Sequence, residues 1–255
     1  MRVLYFAVAW MLAAGHTYAQ RTYDVSDTVI RSSHTRSTYY LQSERHPHSH
    51  ESFLEKADRS RPVVLHAHGC HGLGGYDQQL AFFYRSLGFH VVLTNFLTRG
   101  DAESSCPSVN ASRTGHPETG NPHRVNARRL ELEHHIDWLK GSGFADIVVT
   151  GHSEGGKVVQ GFKRPVRGVV IHSMDCKERH LWDPHPDNRY LVLYSPKDPW
   201  ITGIGSYPTR PCRHLFNQSK VREPGSSVDS HGPLDDPAWR DEIRQFLSDV
   251  SRSPD

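Results

Sequence analysis

The chain holds 255 residues, 36% of them hydrophobic and 23% charged, and its 30 Lys and Arg nearly balance 28 Asp and Glu. That balance excludes the basic surplus of a nucleic-acid binder, and the composition excludes a fibre, a coiled coil and a multi-span membrane protein. The unusual count is 19 histidines, mostly neutral near pH 7 but enough to make the chain markedly cationic below about pH 6.5.

Residues 1–19 read as a secretory signal peptide. Arg2 gives a positive start, residues 3–14 form an apolar run, and Thr17 and Ala19 are small residues ahead of a cut before Gln20. The run is shorter than the ~20 apolar residues that span a bilayer, and no later segment could do so. Removing 19 residues from 255 leaves 236, the size of one domain. The expected compartment is therefore the periplasm or the exterior. There the four cysteines, Cys70, Cys106, Cys176 and Cys212, favour disulfides; none has C-x-x-C spacing, and three pairings are open.

Residues 20–60 read as a polar, irregular segment. Within it, His46-Pro47-His48-Ser49-His50 reads as a solvated loop rather than a metal site, because no defined ligand set is completed. From residue 61 the pattern changes. Residues 61–69 are a short apolar run ending in a glycine turn, as expected of a buried strand. Residues 76–87 carry Leu80, Phe83, Tyr84 and Leu87 at helical spacing, and a second strand follows over 89–96. A long polar loop then runs from 97 to about 122, of the kind that is usually functional or disordered.

The clearest helix covers 124–140, supported by Val125, Ala127, Leu130, Leu132, Ile136 and Leu139. Strands are expected at 145–150, 166–172 and 190–194, with a helix at 154–162. Pro237 opens a closing helix to Val250, with Asp236 as N-cap and Ile243, Phe246, Leu247 and Val250 turned inward. Continuously apolar strands alternating with helices indicate one domain over 61–255, a mainly parallel sheet covered on both faces.

Strand 145–150 runs straight into Gly151-His152-Ser153-Glu154-Gly155-Gly156, and a helix follows. This is Gly-x-Ser-x-Gly in the strand–turn–helix setting that makes Ser153 a candidate nucleophile beside a helix N-terminus. Such a serine needs an acid and then a histidine later in the chain. Asp198 stands in the loop just past strand 190–194, whereas its rivals Asp183 and Asp187 precede that strand. His231 stands ahead of the closing helix, with His214 as runner-up. The oxyanion needs two backbone N–H donors, expected from Glu154 and from Cys70 in His68-Gly69-Cys70-His71-Gly72. No metal or organic cofactor is required.

These residues resemble the α/β-hydrolase superfamily, and within it the dienelactone hydrolase-like branch, from about Pro62 to Val250. The likeness rests on His68 to Gly72, Asn95 to Gly100 with Cys106 after it, the Ser153 motif, Val166 to Cys176, Lys197-Asp198-Pro199-Trp200 and His231. It implies an open parallel sheet with a Ser153–His231–Asp198 triad at its C-terminal edge. It also implies a contact of Arg99 with a substrate carboxylate, although the surroundings of Arg99 diverge from the family's and a local pair with Asp101 is the alternative; His71 and Trp200 are further candidate substrate contacts. Dienelactone-opening members of the branch typically use cysteine where this chain has Ser153, which makes dienelactone a poor substrate guess. In that topology Cys70 and Cys106 follow neighbouring strands, as do Cys176 and Cys212, implying those two pairs as disulfides. The expected activity is that of a secreted or periplasmic serine hydrolase cleaving small carboxylic esters. A peptidase or polymer ester hydrolase using the same triad, and a non-catalytic binding protein on this scaffold, are the alternatives. Oligomeric state is left open.

Overall fold

The computed structural model describes residues 27–96, 122–174, 176, 185–195, 197, 198, 200, 221, 222 and 231–252. In chain order its elements are α1 (Asp27–Arg36), β1 (Thr38–Tyr40), β2 (Pro47–His48), α2 (His50–Lys56), β3 (Val63–Ala67), α3 (Gly75–Ser86) and β4 (His90–Thr94). They continue with α4 (Pro122–Gly141), β5 (Ile147–His152), α5 (Glu154–Gln160), β6 (Gly168–His172), β7 (Tyr190–Leu193), β8 (Val221–Arg222), a 3-10 turn (Pro233–Asp235) and α6 (Pro237–Arg252).

The eight strands form one sheet in the order β2-β1-β4-β3-β5-β6-β7-β8. From β4 to β8 every pairing is parallel, and β1 joins β4 antiparallel. The apolar runs become central strands because both of their faces are covered. Val63 and Leu65 of β3, Val149 of β5 and Ile171 of β6 pack with Leu132, Ile136 and Leu139 of α4 and Val158 and Val159 of α5. The alternate residues Val64, Val148 and Val170 pack with Leu80 and Tyr84 of α3 and Trp239, Ile243 and Phe246 of α6. Parallel strands present their C-terminal ends along one edge, so the turns after β3, β5 and β7 meet there.

Residues 27–60 differ from the irregular segment expected. Thr38-Tyr39-Tyr40 pairs with β4, which covers the sheet edge, and Tyr39 and Phe53 are fully buried in the core. Three strand residues are too few to show a period, yet two tyrosines supply large apolar area to both sheet faces. His46 lies in the link between β1 and β2, while His48 and His50 are only partly exposed. The expected cap of α6 is present, with Ala238 N–H donating to Asp236 Oδ1 at 2.9 Å. β8 was too short to be expected. Residues 1–19, the loop over 97–121, Arg99, Cys106, Asp183, Cys212 and His214 lie outside the described residues.

Among the described residues, no helix is long and apolar enough to cross a membrane. No group of three or more His, Cys, Asp or Glu among them is placed to hold a metal ion.

Candidate active site

β5 ends in His152 and hands directly to α5 through Ser153, whose φ is 54° and ψ −119°. A non-glycine residue at positive φ is strained, and such strain persists only where the surroundings over-determine it. Two constraints do so here. Ser153 N–H donates to His172 O of β6 at 2.9 Å, and Gly156 N–H returns to Ser153 O at 2.8 Å. The flanking glycines make the turn possible: a Cβ on Gly155 would stand 2.0 Å from Ala67 O, and one on Gly151 would stand 2.2 Å from Gly155 O. The turn therefore presses against the end of β3, leaving the Ser153 side chain facing outward.

A pocket of about 230 Å³ opens at this point, lined by Cys70, His71, Tyr76, His152, Ser153, Trp200 and His231 along with glycines of the 69–75 loop. Asp198 sits behind it, completely buried, and its Oδ2 accepts the His231 Nδ1–H at 2.6 Å. Its Oδ1 accepts the Trp200 N–H at 2.8 Å. The carboxylate is thus held on both oxygens, which fixes the imidazole it orients. The His231 carbonyl is held as well, accepting from Ser173 Oγ and from His152 Nε2, the latter at 3.2 Å. Ser173 is itself at φ 54° and donates its N–H to Leu193 O at 2.7 Å.

Ser153 and His231 share the pocket wall without a hydrogen bond between them among the described contacts. In enzymes, a nucleophile–base contact is often long without ligand and tightens only with substrate bound. Burial, and next the nearby His231, lower the His152 pKa to about 3, so this second imidazole is neutral at ordinary pH. It packs 4.3 Å from the Tyr76 ring and 5.0 Å from that of His231. Trp200 lies 5.7 Å from His231, and His71 meets Trp200 edge-on at 6.5 Å. These aromatic faces offer a wall for an apolar group next to Ser153.

Of the residues expected from sequence, Ser153, His231, Asp198, Cys70, His71 and Trp200 come together. Asp187, a rival acid, lies after α5 in an exposed turn before β7. Glu154 follows Ser153 directly, but its side chain turns inward to Arg128. Neither Cys70 nor Cys176 is a free thiol.

Several supporting residues were missed. His66 of β3 donates or accepts at Thr150 Oγ1 (2.7 Å) and meets Asp77 Oδ1 at 2.9 Å, while Asp77 Oδ2 accepts the Gly74 N–H at 2.7 Å. Burial would raise the Asp77 carboxyl, yet the bonds from His66 and Gly74 hold it below its ordinary value. The network thereby pins the N-terminus of α3 and the loop that carries Cys70. Arg128 had a readable signal: it lies three residues after Val125 and four before Leu132, a charge on the core-facing stripe of α4.

No family profile matches the chain, and no curated protein matches it in sequence. Solved structures do match. Est1E from Butyrivibrio proteoclasticus superposes with a TM-score of 0.52 at 11% identity, over 78% of this chain and 92% of that one. A Klebsiella pneumoniae protein assigned as a dienelactone hydrolase gives 0.51 at 13% identity, over 76% and 88%. TT1662 from Thermus thermophilus gives 0.50 at 14% identity, over 76% and 90%. At these identities the likeness establishes the architecture: this chain has the α/β-hydrolase fold.

Proposed function

We propose that the protein is a serine hydrolase of carboxylic esters. The observation that carries this reading is the strained Ser153 turn opening into the same pocket as His231, with buried Asp198 bonded to that histidine. In the reaction, Ser153 Oγ attacks the ester carbonyl carbon while His231 Nε2 takes its proton. His231 then returns that proton to the departing alkoxide, leaving an acyl-enzyme. Water, deprotonated by His231, releases the acid and restores Ser153. Asp198 keeps Nδ1 protonated and stabilises the imidazolium that forms. The N–H groups of Glu154 and Cys70 hold the oxyanion. His71 and Trp200 are assigned to the substrate's apolar part, and Arg99 to its polar end.

A fluorophosphonate probe tests the mechanism. It is expected to label Ser153 stoichiometrically and to abolish turnover of p-nitrophenyl acetate in proportion. A folded protein that stays unlabelled would favour the binding-protein alternative. Weak turnover of short esters with strong turnover of an extended substrate would favour the peptidase or polymer hydrolase.

The proposed compartment is the periplasm or the exterior, on the strength of residues 1–19. In it, Cys70–Cys106 and Cys176–Cys212 are the proposed disulfides, each bracing a loop near the site rim. Non-reducing peptide mapping should recover those two linkages; any other pairing, or free thiols, would refute them.

A further inference from the structure

Arg128 is a buried cation on the core-facing side of α4, 5% exposed, and its position is chemically specific. Nη1 donates to Glu154 Oε1 at 2.6 Å, and Nη2 donates to the carbonyl oxygen of His68. The guanidinium also lies over the Phe96 ring, 4.8 Å from its centroid. Burying an ion pair is seldom a gain in stability over apolar residues of the same volume, so stability alone is a weak reason for it. What the pair does instead is connect two turns that are remote in sequence: the one after β5, which starts with Ser153 and Glu154, and the one after β3, which starts with His68.

The His68 ring adds a second constraint. Phe96 N–H donates to His68 Nε2 at 3.3 Å, so Nε2 carries no proton and Nδ1 carries it. That Nδ1–H donates to Gly69 O at 2.5 Å. Burial, and next the Arg128 charge, lower the His68 pKa to about 3, which keeps this tautomer neutral. Gly69 C=O and Cys70 N–H belong to one peptide unit, and in a trans peptide they point in opposite directions. None of the described peptide bonds is cis. Holding the Gly69 carbonyl toward His68 therefore turns the Cys70 N–H the other way, away from the His68 ring.

We propose that Arg128 is a positioning residue that sets the spacing of the two oxyanion donors, Cys70 N–H and Glu154 N–H, by clasping both turns, while His68 locks the orientation of the Gly69–Cys70 peptide. The catalytic consequence rests on the hydrolase reading above; the clasp itself does not.

The test is the double substitution Arg128→Met with Glu154→Gln in the full chain, which removes both charges and so leaves neither one buried alone. Two readouts are taken: the amide ¹H–¹⁵N resonances of Cys70 and Glu154 without ligand, and kcat and KM on p-nitrophenyl acetate. In the double variant the Cys70 amide, whose own residue is unchanged, should move, and kcat should fall about 10²-fold with KM changed less than about twofold. Arg128→Lys is the second variant, since it retains the Glu154 partner but cannot hold two acceptors as a fork. It should move the Cys70 amide more than that of Glu154 and recover part of kcat. A merely structural role would lower the melting temperature yet leave the Cys70 amide and kcat of the folded protein unchanged in both variants, and that result overturns the proposal. If the amides move while the wild-type protein turns over no ester, the clasp stands and the hydrolase reading falls.

Discussion

Asp198→Asn is expected to lower kcat for ester hydrolysis about 10⁴-fold with the fold intact, the size of loss seen when the same change is made in a serine protease triad. The reason lies in how the two carboxylate oxygens are used. Oδ1 accepts the Trp200 N–H and Oδ2 accepts the His231 Nδ1–H. An asparagine can satisfy Trp200 only with its carbonyl oxygen on that side, which points the NH₂ group at His231 Nδ1. Two donors cannot face each other, so the imidazole must shift its proton to Nε2. A protonated Nε2 cannot take the Ser153 proton. The retained Trp200 bond preserves the loop, which separates this loss from unfolding. Kinetics on the folded variant, with its circular dichroism as control, would check it; activity within about tenfold of wild type would remove Asp198 from the triad.

The second large effect is acid unfolding. The pKa is lowered by burial to about 3 in His68 and His152, and to about 4 in His34. His135 and His172 are lowered well below 6.5 for the same reason. Each folded-state pKa lies below the unfolded value of about 6.5, so the unfolded chain binds more protons at mildly acid pH. The stabilising contribution is complete above that value and is lost progressively as pH falls toward the folded-state pKa. Each such group costs about 1.4 kcal/mol per pH unit in that window, so His68 and His152 together cost roughly 3 kcal/mol for each pH unit. An ordinary domain holds only about 5–15 kcal/mol. Cooperative unfolding is expected between about pH 5 and pH 4, read by far-UV circular dichroism and melting temperature. A melting temperature that stays level from pH 7 to pH 4 would contradict it.

This also accounts for part of the histidine surplus. His34, His50 and His135 form a ring cluster with Trp138 between α1, α2 and α4, with His34 and His135 centroids 4.1 Å apart. Ser33 Oγ meets His135 Nε2 at 3.1 Å. Neutral imidazoles serve there as flat packing groups. Charging one would place a cation beside the others, and the facing groups include His134 and the Glu51 carboxylate next to His50.

The parallel core was legible because Val63 to Ala67, Ile147 to Thr150 and Gly168 to Ile171 are buried on both faces and carry mainly apolar runs, broken only by His66 and Thr150. The Ser153 turn was legible because its glycines meet backbone atoms at distances no side chain allows, so the Gly-x-Ser-x-Gly motif and the turn geometry are the same fact. The order of acid and histidine along the chain then led to Asp198 and His231. Residues 27–60 were not legible: a three-residue antiparallel strand carries no period, and its burial depends on β4 rather than on its own pattern. The partners of Arg128 and His68 were also hidden, since a charge on the core-facing stripe of a helix marks its burial but gives no sign of which turns it will reach. Their roles come from contacts 26 and 60 residues apart.

The strained serines carry one more implication. Ser153 is tied to β6, Ser173 to β7, and the His231 carbonyl to Ser173, so each turn at this edge leans on the next strand across. Ser153 is thereby referenced to the sheet, a rigid frame, and not to the surrounding loops. Loops of new length or composition could then be grafted around the rim to change what enters, while the reacting atoms keep their coordinates. A scaffold of this kind separates the evolution of selectivity from that of chemistry.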